Sequence, residues 1–387
     1  MPRATLDTER AVQERYGRAA RAPERELCCP TSYDPRYLKA IPEEILKRDF
    51  GCGDPTPYLQ PGDTALDLGS GAGKICFIAA QIVGSKGKVI GVDFNSEMLS
   101  LARKHQPEVA RRLGYDNVTF LRGRIQDLAL PLDEVEAWLA ARPVRSAAAL
   151  AEFEAFAERL RSTAPLIPND SVDVIVSNCV LNLVKDTDKE KLFAEMYRVL
   201  KRGGRVAISD IVSDEEVPAA MKRDPKLWSG CVSGAFREDK FLEAFERAGF
   251  HGIEIAKRDD QPWQTVRGIE FRSMTVTARK GKEGPCLERS QAIIYKGPWK
   301  EVRDDDGHAL RRGQRMAVCD KTYKILTSPP YAEETVAVPP RREVPLSQAR
   351  GFACAGAAVR DPRETKGKRY RKTMAATKSV CGPGDCC

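Results

Sequence analysis

A glycine-rich turn between a strand-like run and a helix-like run most constrains how this chain can fold. The turn is Asp67-Leu68-Gly69-Ser70-Gly71-Ala72-Gly73; the apolar run Thr64–Leu68 leads into it, and a helical pattern follows as far as Val83. Glycines at such a turn let the backbone bend sharply and approach a ligand closely. Asp93 ends the next apolar run about 20 residues after Gly73. This spacing is typical of a carboxylate that accepts hydrogen bonds from ribose hydroxyl groups.

The same turn limits the kind of ligand that the chain can hold. Lys74, Ile75 and Cys76 leave no third glycine at the spacing of a dinucleotide-binding turn, and the sequence has no G-x-x-x-x-G-K-[ST] phosphate loop. We therefore expect a nucleoside without a pyrophosphate rather than NAD or ATP. Two roles are open to Asp67, a ligand of the cofactor and a cap of the turn.

Strands separated by helices continue on the carboxyl side of this turn. The predicted strands are 64–68, 88–93, 117–121, 171–177 and 205–210, the last entered through a turn at Gly203-Gly204, and the predicted helices are 73–83, 96–113 and 189–200. Such alternation predicts an α/β fold with a doubly wound parallel sheet. A helix at 237–248 and strands at 251–256 and 269–278 are expected to complete the sheet, partly in antiparallel fashion.

Composition and pattern divide the chain into four predicted segments. Residues 1–60 form a helical N-terminal segment with thiol-bearing loops, and helices are expected at 8–18 and 42–48. Residues 61–280 form the core, which a helical insert at 130–168 interrupts; Leu150, Phe153, Phe156 and Leu160 recur there at helical spacing, and we expect a packing role for it. Residues 281–327 form a small C-terminal domain with β patterns at 292–295, 316–318 and 323–326. Residues 328–387 are expected to be a flexible, basic, Pro- and Ala-rich tail that ends in Cys-Cys.

Charge and hydropathy exclude several classes of protein. The net charge of +8 is modest for 387 residues, and much of the excess lies in the tail, so a nucleic-acid partner is not expected. The sequence has no apolar stretch long enough to cross a bilayer, and the polar start Met1-Pro2-Arg3 lacks the apolar region of a signal peptide. We expect a soluble, cytoplasmic protein without a membrane partner.

Two cysteines lie where a parallel sheet would place its ligand crevice. Among twelve cysteines there is no C-x-x-C pair, so a zinc ribbon is not indicated. Cys179 follows the predicted strand 171–177, and Cys231 lies in a Gly/Ser-rich stretch far along the chain. Buried cysteines are often small core residues, which is the interpretation we give Cys76. If Cys179 and Cys231 meet beside the cleft, they predict a soft, thiol-binding substrate.

Four motifs carry a resemblance to a known family. The motifs are Val12-Gln13-Glu14-Arg15-Tyr16-Gly17, Phe50-Gly51-Cys52-Gly53, Ser177-Asn178-Cys179-Val180-Leu181-Asn182-Leu183 and Trp228-Ser229-Gly230-Cys231-Val232-Ser233-Gly234-Ala235. Together with the glycine turn they resemble the arsenite S-adenosylmethionine methyltransferases, from Val12 to Lys280. The resemblance implies a class I methyltransferase (Rossmann-like) sheet, followed here by a small C-terminal α+β region.

The resemblance also implies a cofactor site for S-adenosylmethionine. Gly69, Gly71 and Gly73 would wrap the methionine end, Asp93 would hold the ribose, and Asn178 would lie near the amino-acid portion. Ile125 and Gln126 would lie near the adenine, although Gln126 stands where glutamate is frequent. The implied site further includes Asp67, Ser70 and Tyr16.

By the same resemblance, Cys179 and Cys231, together with Cys52, would hold thiol-conjugated trivalent arsenic as the substrate. A disulfide between Cys52 and Cys28 or Cys29, with Cys29 preferred, would return oxidised arsenic to the trivalent state. A thioredoxin- or glutathione-type reductant would then reset the thiols. Two alternatives remain open: a class I methyltransferase for another small molecule, and a non-catalytic protein that binds arsenic or metals through thiols.

Overall fold

The computed structural model describes residues 7–21, 24, 31–48, 50–354 and 358–366. The chain divides into two compact units, Met1–Gly281 and Lys282–Cys387, and the helical N-terminal segment belongs to the same unit as the sheet. No helix of the described residues combines the length and apolar character that crossing a membrane requires.

The strands of the first unit form one mixed sheet. They are β1 (Thr64–Leu68), β2 (Lys88–Asp93), β3 (Val118–Arg122), β4 (Val172–Asn178), β5 (Leu200–Ser213), β6 (Phe236–Arg237), β7 (His251–Arg258), β8 (Gln264–Val266) and β9 (Ile269–Arg279). Their order is β3-β2-β1-β4-β5-β9-β7, with β6 beside β5 and β8 beside β9. Strands β1 to β5 are parallel, whereas β9 is antiparallel to β5 and β7. The predicted doubly wound class I sheet with late antiparallel strands is confirmed.

Eleven helices are described in the first unit. They are α1 (Thr8–Arg21), α2 (Pro35–Leu38), α3 (Glu43–Leu46), α4 (Lys74–Val83), α5 (Ser96–Leu113), α6 (Leu132–Ala141), α7 (Ala147–Thr163), α8 (Lys189–Val199), α9 (Ala219–Lys222), α10 (Pro225–Ser229) and α11 (Glu238–Arg247). Local chemistry explains their ends: the Asn95 side chain accepts hydrogen bonds from the backbone N–H of Glu97 and Met98 at the start of α5, and Gly114 ends that helix in the left-handed region.

Both faces of the sheet are covered by apolar side chains. Alternate residues of the central strands point to opposite faces, so Ala65 and Val176 pack in one core with Phe77 of α4, while Leu66 and Ile175 pack in the other. Burying the larger of these side chains (valine, leucine, isoleucine and phenylalanine) stabilises the fold by about 1.5–3 kcal/mol each. The strand order reverses between β1 and β4, and in open sheets such a switch point opens a crevice at the carboxyl ends of the strands.

Strand β5 extends beyond the predicted strand 205–210, and the insert at 130–168 is helical. The structure assigns β5 through Gly203-Gly204 without a break, although Val172 pairs with Leu200 and Val174 with Arg205. The intervening residues bulge out, and Gly203 has a φ of 83°. The insert forms the two helices α6 and α7, whose Trp138 stacks on Phe156 with ring centroids 5.4 Å apart.

The second unit is built from short strands and one helix. They are β10 (Leu287–Glu288), β11 (Ala292–Tyr295), β12 (Glu301–Arg303), β13 (Ala309–Arg311), β14 (Arg315–Ala317), β15 (Thr335–Val338), β16 (Arg350–Gly351) and α12 (Asp320–Leu326). Strands β14, β11 and β15 form an antiparallel sheet, and β12–β13 and β10–β16 form two further antiparallel pairs. Their small core contains Ile293, Tyr295, Leu310 and Met316.

Two predictions for this region were wrong. The segment 323–326 is the end of helix α12 rather than a strand, because the Cys319 sulfur accepts the N–H of Thr322 at 3.4 Å and starts a helix there. Residues 328–387 are not a flexible tail throughout: Thr335–Val338 contains no proline, buries Val338 and pairs along its whole length with β11. Short pairing of this kind depends on its partner strand and leaves little local signal.

Candidate active site

A cleft with an open volume of about 1130 Å³ lies at the carboxyl ends of β1, β2 and β4. It is lined by ten residues predicted to be functional: Tyr16, Asp67, Gly69, Ser70, Gly71, Asp93, Ile125, Gln126, Asn178 and Cys179. The helical insert contributes no lining residue to this cleft among those described. Thus most of the predicted site residues meet at one crevice.

The glycine turn shapes the floor of this cleft. Gly69, Gly71 and Gly73 have φ values of 71°, 51° and 88°, a region that favours glycine. A Cβ added to Gly73 would lie 2.7 Å from the Phe120 ring, so this position needs glycine for packing. A Cβ added to Gly71 would meet no atom within 4 Å, which leaves room for a ligand to approach the backbone.

Asp93 is fixed beside the turn by backbone donors. Its carboxylate accepts hydrogen bonds from the N–H groups of Gly71 and Asn95, both at 2.8 Å. Burial raises the pKa of Asp93, and these backbone hydrogen bonds oppose the increase. The nearby Ser70 hydroxyl is buried and has no hydrogen-bond partner within the described part of the chain. A fixed carboxylate, an unused hydroxyl and the open space at Gly71 fit the ribose and methionine portions of S-adenosylmethionine.

Asp67 has a partner that the sequence did not indicate. The Cys76 thiol donates to Asp67 Oδ2 at 3.2 Å, and burial, followed by the charge of Asp67, raises the pKa of Cys76 well above its usual value. Cys76 is fully buried, which agrees with its interpretation as a core residue. Asp67 is also one of the residues that line the cleft.

The predicted adenine end contains two residues that sequence reasoning missed. Gln126 donates to the carboxylate of Glu9 in α1 at 3.2 Å, and Arg124 donates to the same carboxylate at 3.1 Å. Ile125 lies between them and also lines the cleft. Glu9 and Arg124 gave no distinctive signal, because an acidic residue in the first turn of a helix is usually explained by the helix dipole.

Asn178 lines the cleft but uses its side chain to hold the loop of Cys52. Asn178 Oδ1 accepts the N–H groups of Cys52 at 2.9 Å and Gly53 at 3.1 Å. Its Nδ2 donates to the Tyr33 hydroxyl at 2.9 Å and to the Gly53 carbonyl at 2.7 Å. A carboxamide has two donors and two acceptor sites, and all four are used here. The amide group is therefore committed to the loop rather than available to the cofactor.

The predicted thiols converge next to this loop. The sulfurs of Cys52 and Cys179 and a carboxylate oxygen of Asp210 lie within 4.8 Å of one another, and all three residues are buried. The Cys231 thiol donates to the Cys179 carbonyl at 3.2 Å and lies 3.9 Å from the Tyr16 hydroxyl. Burial, then the nearby Cys231 and Cys179, raises the pKa of Tyr16 well above its usual value.

Both central cysteines have unusual backbone conformations. Cys179 and Cys231 have φ values of 63° and 60°, in the left-handed region that residues other than glycine rarely enter. Residues in such conformations cost folding free energy and cluster at functional sites. Cys179 adopts this conformation immediately after β4 ends at Asn178. The N–H of Cys179 donates to the carbonyl of Ser209 at 2.8 Å.

Asp210 organises the turn that follows Cys179. Its carboxylate accepts the backbone N–H of Leu181 at 2.8 Å and the side-chain amide of Asn182 at 2.8 Å. Burial raises the pKa of Asp210 to about 6, against the opposing effect of these hydrogen bonds. Sequence reasoning did not identify Asp210, because an acidic residue inside the strand β5 has no local pattern that marks it as part of the site.

The Cys231 loop is attached to the Cys179 turn through neighbouring side chains. Trp228 Nε1 donates to the Leu183 carbonyl at 3.1 Å, and Asn182 Nδ2 approaches the Cys231 carbonyl at 3.4 Å. The motifs that contain Cys179 and Cys231 are thus in direct contact, although the two cysteines are 52 residues apart in sequence. Cys28 and Cys29, the predicted partners of Cys52, lie outside the described residues.

Comparison with known proteins agrees with this geometry. A family model described as "Methyltransferase domain" matches residues 59–162 and 140–249. A second model, described as "Domain of unknown function (DUF8838)", matches residues 282–370 in the second unit.

Relatives match over most of the chain. The arsenite methyltransferase of Aquipseudomonas alcaligenes is 31% identical over 343 residues, which cover 83% of this chain and 88% of that protein. The arsenite methyltransferase of Mus musculus is 29% identical over 367 residues, which cover 92% of this chain and 88% of that protein. The crystal structure of an arsenic(III) S-adenosylmethionine methyltransferase from Chlamydomonas reinhardtii has the same fold, with a TM-score of 0.53, 24% identity, and coverage of 85% of this chain and 100% of that one. The chain therefore belongs to the arsenite methyltransferase family, enzymes of the class I fold that use S-adenosylmethionine.

Proposed function

We propose that this enzyme transfers methyl groups from S-adenosylmethionine to trivalent arsenic bound by its thiols, and thereby detoxifies arsenic. One observation carries the proposal: Cys52 and Cys179 meet in a buried group, with Cys231 in contact with Cys179, at the edge of the cofactor cleft. Soft trivalent arsenic should prefer thiolate ligands, by the argument that applies to soft metals.

The cofactor would be held by the residues around the glycine turn. Asp93, Ser70 and the backbone at Gly71 offer the polar groups and the space described above. When bound, S-adenosylmethionine supplies an electrophilic methyl group on a positively charged sulfur. Gly69, Gly73, Asp67, Ile125, Gln126 and Tyr16 complete the proposed cofactor site; for Asn178 the contacts above favour a positioning role instead.

The thiols have the task of orienting arsenic. Cys179 and Cys231, with Cys52, would hold the metalloid so that its lone pair points into the cleft, and positioning is then the main catalytic demand. The lone pair carries no proton, so no general base is required at the transfer itself. Asp210, beside the Cys52 and Cys179 sulfurs, can accept a thiol proton and pass it to the hydroxyl that leaves arsenic as water when an As–O bond is replaced by an As–S bond.

Methylation oxidises arsenic formally, so the site needs electrons before the next cycle. We propose that Cys52 forms a disulfide with Cys28 or Cys29 and that a thioredoxin- or glutathione-type reductant restores the thiols. Such chemistry suits a reducing compartment, and we therefore place the enzyme in the cytoplasm.

Serine substitution of the central cysteines tests the proposal. The purified enzyme is incubated with S-adenosylmethionine, arsenite and a thiol reductant, and methylated arsenic is measured by chromatography with mass spectrometry. We expect Cys179→Ser and Cys231→Ser each to abolish methylation, because a hydroxyl does not replace a thiolate as an arsenic ligand. Cofactor binding, measured by calorimetry, should persist in both variants. Normal turnover in either variant would contradict the assignment.

Cys52→Ser separates the steps of the reaction. We expect this variant to lose methylation of arsenite but to keep activity on a trivalent arsenical that already carries a methyl group, because that substrate needs fewer thiols. Equal loss on both substrates would instead mean that Cys52 is needed for every transfer.

A further inference from the structure

Three cysteines outside the cleft converge in the second unit. Cys286 precedes β10, Cys319 precedes α12, and Cys354 follows β16. Their sulfurs all lie within 4.8 Å of one another. Cys319 is fully buried, whereas Cys286 and Cys354 are half-buried, so the group can be reached from solvent. We refer to Cys286, Cys319 and Cys354 as the thiol triad.

The backbone around the thiol triad is held by specific contacts. The N–H of Phe352 donates to the Cys286 carbonyl at 2.9 Å and extends the antiparallel pairing of β10 with β16. Arg289 pairs with Asp320 at 2.8 Å, and this pair ties the start of α12 to the residues after Cys286. Three chain segments, far apart in sequence, are therefore fixed around one group of sulfurs.

The thiols influence one another electrostatically. A hydrogen bond from Cys354 is the main cause that lowers the pKa of Cys286, with Cys319 and Lys321 adding to it. Burial, followed by the interaction with Cys286, raises the pKa of Cys354 to about 12. Between Cys286 and Cys354, Cys286 is thus the more acidic thiol, and thiolates are the form that binds soft ions.

We propose that the thiol triad is a second site for trivalent arsenic, which it binds as a trithiolate. In this reaction arsenous acid, As(OH)3, exchanges its three As–O bonds for three As–S bonds and releases three molecules of water. Each thiol proton leaves with a hydroxyl group, and arsenic stays trivalent, so no oxidant or reductant is needed. The choice of arsenic rather than another soft ion rests on the proposed function.

The number of ligands favours arsenic over zinc. A structural zinc ion takes four protein ligands, whereas the group found within the described residues offers three, all of them sulfur. Bonds of about 2.3 Å in tetrahedral geometry, as for zinc and sulfur, hold sulfur atoms about 3.8 Å apart. The thiol triad would therefore need shifts of only about 1 Å or less per sulfur to close on an ion of similar bond length.

The test uses the full-length chain with the cleft thiols removed. The parent variant Cys52→Ser/Cys179→Ser/Cys231→Ser is incubated with arsenite, desalted, and analysed for arsenic by elemental mass spectrometry and for its ligands by X-ray absorption. We expect the additional changes Cys286→Ser, Cys319→Ser and Cys354→Ser to remove one arsenic atom per chain, bound in the parent by three sulfur neighbours. The matched control adds Cys381→Ser, Cys386→Ser and Cys387→Ser to the parent and should keep that arsenic.

Equal arsenic in the parent and in the thiol-triad variant would overturn the proposal, as would zinc in the purified protein that arsenite does not displace. Because the parent lacks the cleft thiols, the result does not depend on whether the unaltered enzyme methylates arsenic. A second measurement avoids substitutions altogether: arsenite should slow alkylation of Cys286, Cys319 and Cys354 in the unaltered enzyme at least tenfold, detected by peptide mass spectrometry. Unchanged alkylation of all three would also overturn it.

Discussion

At the scale of single residues, Asn178 shows how a side chain can act through its neighbours. It lies at the end of β4 and lines the cleft, yet its amide makes four hydrogen bonds to Tyr33 and the Cys52–Gly53 backbone. The family resemblance implies that Asn178 lies near the amino-acid portion of the cofactor. From the contacts above we propose that Asn178 also positions Cys52.

Replacement of Asn178 should therefore affect Cys52 more than the cofactor. In Asn178→Ala the N–H groups of Cys52 and Gly53 lose their acceptor, at a cost of about 1–3 kcal/mol for each buried group left unpaired. We expect at least tenfold slower methylation of arsenite, faster alkylation of Cys52, and a change in cofactor affinity of less than about threefold, by calorimetry. Tyr33→Phe removes the hydroxyl that accepts from Asn178 and donates to the Gly53 carbonyl, but it leaves Asn178 as the acceptor for the N–H groups of Cys52 and Gly53, and it should have a smaller effect. A tenfold loss of cofactor affinity with unchanged Cys52 alkylation would contradict this role.

At the scale of elements, α1 is joined to the thiol site by a buried arginine. Arg15 Nη1 donates to the Lys226 carbonyl at 2.9 Å and to the Ser229 hydroxyl at 3.2 Å, and its side chain also pairs with Glu24 at 2.7 Å. The Arg15 side chain is only 7% exposed. It links α1 to α10, the helix that immediately precedes Cys231.

Arg15→Ala should loosen this link. The change leaves buried partners unpaired, and we expect a loss of about 1–3 kcal/mol of local stability. Hydrogen exchange of residues 225–232 should become faster, and methylation slower, because the Cys231 loop loses its support. Arg10→Ala is the matched control, since Arg10 lies on the same helix, is 75% exposed and forms an ion pair with Glu14 of that helix. Similar exchange rates in both variants would refute the link.

Some of this site could be predicted from sequence and some could not. The glycine turn, Asp93 and the Asn95 cap have local signals, because backbone geometry and helix ends select particular residue types. Asp210 and Glu9 have none, since their roles arise from segments that only the folded chain brings together. The same reason explains why α12 and β15 were not predicted. The Cys319 cap starts a helix in a segment of strand-like composition, and β15 forms only by pairing with β11.

At the scale of the whole molecule, the chain has only three histidines among its 387 residues. One of them, His308, pairs through Nδ1 with Asp304 at 2.8 Å in the loop between β12 and β13. The hydrogen bond that His308 donates to the Asp304 carboxylate raises the pKa of His308, against an opposing effect of burial. Burial would raise the pKa of Asp304, but hydrogen bonds from His308 lower it overall.

The signs of these shifts set a pH window. The raised pKa of His308 stabilises the fold fully below its ordinary pKa of about 6.5 and ceases to do so as the pH rises through the higher folded value. The lowered pKa of Asp304 contributes above its ordinary value of about 3.9 and is lost as the pH falls through the lower one. The pair is therefore most stabilising between about pH 4 and 6.5.

Asp304→Asn should lower the pKa of His308, because it removes the hydrogen bond and the negative charge that are the main causes of its increase. Nuclear magnetic resonance can follow this titration directly, because the spectrum contains only three imidazole rings. The signals of His105 and His251 should be the same in the variant and the unaltered enzyme at each pH, and they serve as the internal control. An unchanged His308 titration would mean that Asp304 does not set its pKa.

The left-handed conformations of Cys179 and Cys231 have an evolutionary consequence. A residue with a side chain costs about 1–2 kcal/mol in that region, whereas glycine enters it freely. If only the conformational free energy of the backbone mattered, glycine would be favoured at both positions. The cysteine side chains must therefore supply a benefit that offsets this cost. In a lineage that is no longer exposed to the thiol-binding substrate, we expect Cys179 and Cys231 to be among the first residues of the site to be substituted.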